Sequence, residues 1–445
     1  MNIKRLTSKA LGSLFLACAL SGGLAAQTSD TDKKIADLEK QLEAVRAQIE
    51  ALKTAPAPAP AAAVAPTAAA VATPAAAPAP NPLAGITSVL GGVNLTGLID
   101  AYYTYNANHP ALEIGGTSYN STTPFNGVDS QISLNLLELQ LDKPVDKSSP
   151  LGFRTAFGWG QAINTMNNNG SDLATSSKTT NFAPGAAQYL KEAYFSLWAP
   201  LGKGLQIDAG KFVTPAGVEV VESNQNWNYT RGLLFYYAIP YYHYGARAKY
   251  TFNDKFALTG YLVNGWNNVI ATNSGKTGGV TLAWTPNKKW AVTENYLGGP
   301  RDILQTGNNT DWNHLFDTVV TYSPTAKLSL AGEFDYDLQE LTSKTHADYT
   351  GIAAFAKYQA SPTVAYAVRY EFLNDHDGLG TLTGQHLNEF TATAERKLLG
   401  HVISRLEYRH DQSNKDFFYV GKIGSNKTQD TATLGLMYVI EPSAN

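Results

Sequence analysis

The sequence predicts an all-β fold: an antiparallel transmembrane β-barrel of about 16 strands, preceded by a short N-terminal coiled-coil helix. Three observations predict it. Runs of about ten residues alternate apolar and polar, the connections between them alternate long and short, and aromatic residues gather at the ends of the apolar rows. Composition agrees. Only 16 % of the 445 residues are charged, while 38 Gly and 24 Tyr supply turn and strand formers. After the N-terminus no run of about 20 apolar residues occurs, so a chain that spans a membrane must do so as a closed barrel.

The first 26 residues read as a secretory signal. Lys4, Arg5 and Lys9 precede the apolar stretch Ala10 to Leu20, and Gly22, Gly23, Ala25 and Ala26 supply small residues for cleavage. The only cysteine, Cys18, falls inside this leader, so no disulfide is expected in the mature chain. Acylation at Cys18 is a poorer reading, because Phe15-Leu16-Ala17 does not suit lipoprotein processing.

Residues 30–53 carry a heptad seam, Ile35, Leu38, Leu42, Val45, Ile49 and Leu52, with Lys, Glu, Gln and Arg between. A stripe that narrow suits a coiled coil better than a globular core helix. A self-associating seam agrees with an oligomeric barrel, for which a homotrimer is the guess; the alternative is an isolated amphipathic helix lying on another surface. Residues 54–92 form an Ala/Pro-rich linker that cannot bury a core. At about 3.1 Å per residue its Ala/Pro stretch reaches on the order of 80 Å. Leu83 to Leu90 within it could form a short helix at the barrel mouth.

The barrel is assigned to residues 93–441. In Lys327 to Leu338, the residues Leu328, Leu330, Phe334, Tyr336 and Leu338 face one way, and Ser329, Glu333, Asp335 and Asp337 the other. Val364 to Phe372 and Thr431 to Ile440 repeat the pattern. A soluble sandwich alternates too, so the aromatics decide. In Tyr242 to Phe252 the apolar row reads Tyr, Tyr, Ala, Ala, Tyr, Phe, with rings at both ends of a height near 25 Å. The strand list is 93–105, 131–142, 152–163, 187–199, 204–212, 240–252, 255–267, 277–285, 289–300, 313–324, 326–338, 348–361, 363–374, 386–400, 401–411 and 430–441. An even count puts both barrel ends on the short-turn side, where the coiled coil must also lie.

The most distinctive stretch is Asp208-Ala209-Gly210-Lys211-Phe212-Val213-Thr214-Pro215-Ala216-Gly217, followed by Glu219, Glu222, Asn224, Thr230-Arg231, Pro240, His243-Tyr244-Gly245 and Asn264-Gly265-Trp266. With these residues the chain resembles the OmpL-like β-barrel porin family of Gram-negative bacteria, from about Gly92 to the C-terminus. The resemblance implies an outer-membrane location and passive channel formation, with small hydrophilic solutes or ions and outer-membrane lipid as partners. The final strand lacks the terminal aromatic of the usual assembly signal.

Inward-facing charges are the pore-lining candidates: Arg154, Glu192, Arg247, Lys249, Glu333, Asp335, Asp337, Arg369, Glu371, Arg405, Glu407 and Arg409. Rings of charge along a pore set ion preference, while charges paired across strands merely solvate the wall. From residue 93 onward acidic residues outnumber basic ones by five, a hint of cation preference. Val213 to Ile239 is the candidate loop folded into the pore. Its Glu219, Glu222 and Arg231 would orient polar solutes, and its aromatics Trp227, Tyr229, Phe235, Tyr236 and Tyr237 would stack on sugar rings; the opposing reading is an external loop whose aromatics pack against neighbouring loops. The Asp375-His376-Asp377 tip could hold a divalent cation or be a solvated turn.

Other functions find little support. A net charge of −3 without a basic stripe gives no reason to expect nucleic acid. The eight His residues form no His-x-x-x-His pair, and no Gly-x-Ser-x-Gly elbow or phosphate loop occurs. Neither enzyme activity nor a cofactor or metal is expected, although a Ser–His pair assembled in space stays open to sequence. The alternative to a channel is an anchor or adhesin with a plugged lumen and partner-binding outer loops.

Overall fold

The computed structural model describes residues 92–441, apart from 112, 115–116, 169–187, 270–274, 302–310 and 342–344. The expected signal peptide, coiled coil, linker and mouth helix therefore lie outside the described residues. Sixteen strands form a closed barrel: β1 Asn94–Asn106, β2 Ile132–Lys143, β3 Leu151–Trp159, β4 Leu190–Ala199, β5 Leu205–Val213, β6 Tyr242–Asn253, β7 Phe256–Val263 and β8 Thr277–Asn287. The second half is β9 Trp290–Pro300, β10 Trp312–Tyr322, β11 Leu328–Glu340, β12 His346–Ser361, β13 Val364–Asp375, β14 Gln385–Leu398, β15 Val402–Ser413 and β16 Thr428–Ile440. Each strand pairs antiparallel with its sequence neighbours, and β1 pairs with β16 to close the ring, Tyr103 opposite Leu434. Among the described residues the barrel leaves no strand edge unpaired, as lipid requires.

Connections alternate as expected. The β6–β7 turn is Asp254-Lys255, whereas 25 or more residues separate β1 from β2, β3 from β4 and β5 from β6. Several expected strands overrun, among them 187–199, which begins only at Leu190, and two that run too far at their C-terminal ends. The one placed at 152–163 stops at Trp159, because Gly160 takes φ 116° against the Asn135 carbonyl and turns the chain into a helix, α1 Gln161–Asn168. The one placed at 255–267 stops at Val263.

The outer wall is apolar in its middle and aromatic at both rims. Leu406 and Leu436 are exposed between the rims. Tyr103, Tyr244, Phe316, Tyr370 and Tyr408 stand towards the long-loop end. Phe252, Trp284, Tyr358, Tyr366 and Tyr438 stand towards the other, where Trp290 stacks on Tyr322 at 4.1 Å. Exposed apolar side chains outside and buried charges inside invert the soluble pattern. This is the arrangement that a bilayer as solvent selects.

Candidate functional site

The site is the lumen, and its occupant is the connection between β5 and β6. This segment runs inside the barrel, carries the short helix α2 Leu233–Tyr237, and is held by hydrogen bonds from inward-facing side chains of the wall. Glu407 on β15 accepts from the Tyr229 N–H at 2.5 Å, and from the Thr230 N–H and hydroxyl at 2.9 and 2.6 Å. Arg369 on β13 donates to Glu219 at 2.7 Å and to the Thr230 carbonyl at 2.6 Å. Arg405 donates to the carbonyls of Ser223, Asn226 and Asn228 at 2.6 to 2.9 Å. Arg409 holds the Arg231 carbonyl at 2.7 Å, and Glu371 accepts from the Leu233 N–H at the start of α2. Wall charges thus satisfy the backbone groups that an irregular segment cannot pair internally.

The loop's own charges and rings are spent in the same way. Trp227 packs edge-on against Phe355 with centroids 6.4 Å apart, and the Tyr229 phenol donates to Asp100 at 2.7 Å. Both are buried, so neither offers a free face for a sugar ring. Glu219 takes the Gly232 N–H at 2.5 Å besides Arg369. Burial pushes its carboxyl above the ordinary range, even though Arg369 and that N–H favour the charge. Burial likewise lowers the Arg231 guanidinium.

The twelve inward charges divide into two groups. Glu333, Asp335, Asp337, Arg369, Glu371, Arg405, Glu407 and Arg409 are buried along β11, β13 and β15, most of them against the loop. Arg154, Glu192, Arg247 and Lys249, on β3 to β6, border an open cavity of about 540 Å³ between the wall and the loop. Arg154 is about a third exposed and Arg247 a fifth. Arg154 donates to Glu192 at 2.9 Å and to Gln140 at 2.8 Å. Arg247 donates to Asp208 at 2.8 Å and lies over the Phe212 ring. The cavity extends from Asp142 and Lys143 at the short-turn end to Phe235 and Tyr241 beside α2.

Several site residues escaped the sequence reading. Lys191 reaches into the same cavity and bonds Glu138 at 3.0 Å and the loop's Glu222. It points inward because of a bulge: Ala156 pairs with Glu192 and Phe157 with Leu190, leaving Lys191 as the extra residue. Asp208 and Glu389 were missed as well; Glu389 accepts from Arg369 at 2.8 Å. The Asp375-His376-Asp377 tip is divided by the fold. Asp375 is buried and takes the N–H groups of Leu379, Gly380 and Thr381, while His376 and Asp377 stand exposed beside Asp348.

A closed sixteen-strand antiparallel barrel with an oily exterior, a charged interior and a long connection folded inside defines an outer-membrane β-barrel of the porin class. The model of one family, described as "Putative beta-barrel porin-2, OmpL-like", matches residues 92–440. The chain belongs to that family. No curated protein matches it in sequence. Among solved structures, it is similar to OmpF of Salmonella typhi in complex with daunomycin. The identity is 14 %, with 78 % of this chain and 97 % of that one covered at a TM-score of 0.52. In vitro folded OmpT of Vibrio cholerae, an outer-membrane protein in its trimer form, is similar at 12 % identity, with 78 % and 98 % covered and a TM-score of 0.50. At these identities the likeness is one of fold.

Proposed function

We propose that the protein passes small hydrophilic solutes or ions passively across the outer membrane, along the water-filled side of the lumen bordered by β3 to β7. The cavity beside the loop carries this reading. Its wall presents partly exposed Arg154, Arg247, Lys249 and Asp142, with Glu192 and Asp208 buried beside them, whereas the inward charges of β13 and β15 are bonded to the loop. Opposed charges across a narrow aqueous passage orient polar solutes and exclude apolar ones. The full chain, refolded and inserted into a planar bilayer under a salt gradient, should give stepwise single-channel currents.

The observation favouring a plugged anchor is the density of wall-to-loop bonds around Arg369, Arg405 and Glu407. Folded barrel that inserts without current steps would establish the plugged reading. In the channel reading, the heptads of residues 30–53 lie in the periplasm and gather three copies through their seam. Catalysis has no role in it.

A further inference from the structure

Three carboxylates converge where the inner loop leaves β5. Asp317 on β10 and Asp335 on β11 are opposite each other in the strand register, and Glu333 lies two residues along on the same face. One oxygen from each lies within 4.8 Å of the other two. All three are buried, Asp317 and Asp335 completely.

Few donors reach them. Asn295 Nδ2 donates to Asp317 Oδ1 at 2.6 Å, the Gly217 N–H to the same oxygen at 3.2 Å, and the Val218 N–H to Glu333 Oε2 at 2.9 Å. Asp335 is within hydrogen-bonding reach of Asp317 and Glu333, and beyond one another Asp317 Oδ2, Glu333 Oε1 and both oxygens of Asp335 have no hydrogen-bond partner. Further round the ring, on β13 to β15, the wall neutralises its acids with guanidinium groups: Glu389 with Arg369, Glu395 with Arg405, Asp411 with Arg409. Among the described residues, none of the ion pairs involves Asp317, Glu333 or Asp335.

Three carboxylates this close and this dry repel one another and lose their hydration, so either a cation or shared protons must compensate them. We infer that Asp317, Glu333 and Asp335 form a binding site for a hard divalent cation, calcium by donor type. The set is all oxygen and carboxylate-rich, with neither nitrogen nor sulfur, and four oxygens have no partner outside the cluster. Access runs past the loop, since Thr214, Pro215 and Glu219 line the open cavity while Gly217 and Val218 bond the cluster. A cation there ties the loop's first turn to β10 and β11, a few strands round from the arginines that hold its middle.

The test is calcium binding to the full chain, folded in lipid vesicles after chelator treatment and followed by calorimetry at neutral pH. The expected result is one bound equivalent per chain, with calcium raising the thermal unfolding midpoint of the barrel. Asp335→Asn should lose both effects while Asp377→Ala, at the exposed Asp348-His376-Asp377 group, keeps them. If Asp335→Asn does not fold, Asp317→Asn is measured in its place with the same expectation. No binding to folded wild-type protein at millimolar calcium would overturn the site and leave shared protons as the compensation. Binding that survives Asp335→Asn but disappears in Asp377→Ala would overturn it equally. Neither readout requires current, so failure here is distinct from failure of the channel reading.

Discussion

Arg369 Nη1 donates to Glu219 Oε1 at 2.7 Å, joining residues 150 positions apart across the interior of the barrel. Arg369 also stands at the centre of a buried acidic group, with Glu389 at 2.8 Å and Glu371 at 3.6 Å. It therefore does two things, neutralising the wall and holding the loop. Removing one partner of a buried pair costs about 3–5 kcal/mol, because the other charges stay behind unpaired. Arg369→Leu should lower barrel stability by about that amount, measured by urea unfolding in lipid vesicles. It should also make the open-channel current noisier as the loop loses its mid-point tether. A quiet, fully stable Arg369→Leu barrel would show that the pair contributes nothing.

Gly435 on β16 provides the seat for Tyr229. Its missing side chain leaves the space the ring occupies, and a Cβ added there would overlap the ring. Gly435→Val should therefore push Tyr229 off the wall and break its 2.7 Å bond to Asp100. The overpacking cost is about 1–3 kcal/mol. Tyr229 is fully buried in the native barrel, so its fluorescence quenching by an aqueous quencher should rise in the variant.

The wall of this barrel is legible in the sequence because alternation is imposed by two solvents, lipid outside and the lumen inside, and period two leaves no freedom within a strand. All sixteen strands follow from it. Lys191 does not, because a bulge shifts the phase by one and turns both Lys191 and Glu192 inward. Glu389 hides for another reason. Its row, Glu389, Thr391, Thr393 and Glu395, is polar, but the opposite row begins with His386 and Asn388, which blurs the contrast. The use to which the inner charges are put is not local at all. Tyr229 and Glu407 meet over 178 residues, and no pattern within a strand records whether an inward charge will meet water or a loop.

One residue breaks the outer pattern. Glu294 belongs to the outward row of β9, between Val292 and Tyr296, and is exposed in the middle of the apolar band. The Thr318 hydroxyl of the paired strand donates to it at 2.8 Å, which offsets only part of the cost of a carboxyl in hydrocarbon. Acidic residues on a barrel's lipid face cost less than the ~2–4 kcal/mol of basic ones at the midplane. Glu294→Val should accordingly stabilise the barrel by about 1–2 kcal/mol in reversible unfolding from vesicles, and Thr318→Val alone should destabilise it. A loss of stability in Glu294→Val would mean that the carboxyl is in contact with something other than lipid.

Ion preference should follow the charges that still touch the cavity rather than those spent on the loop. Arg154 and Lys249 border the opening, whereas Arg405 and Arg409 are buried against loop carbonyls. A unit charge about 10 Å from a permeating ion in water contributes about 0.4 kcal/mol, roughly a twofold change in relative permeability. Arg154→Gln and Lys249→Gln should each shift the reversal potential towards cations by roughly that factor, additively, and more strongly at low ionic strength. Lys255→Gln in the exposed β6–β7 turn is the control, and it should shift nothing. If the two cavity variants behave like the control, ions do not pass beside β3 to β7, and the conducting path must lie elsewhere in the lumen.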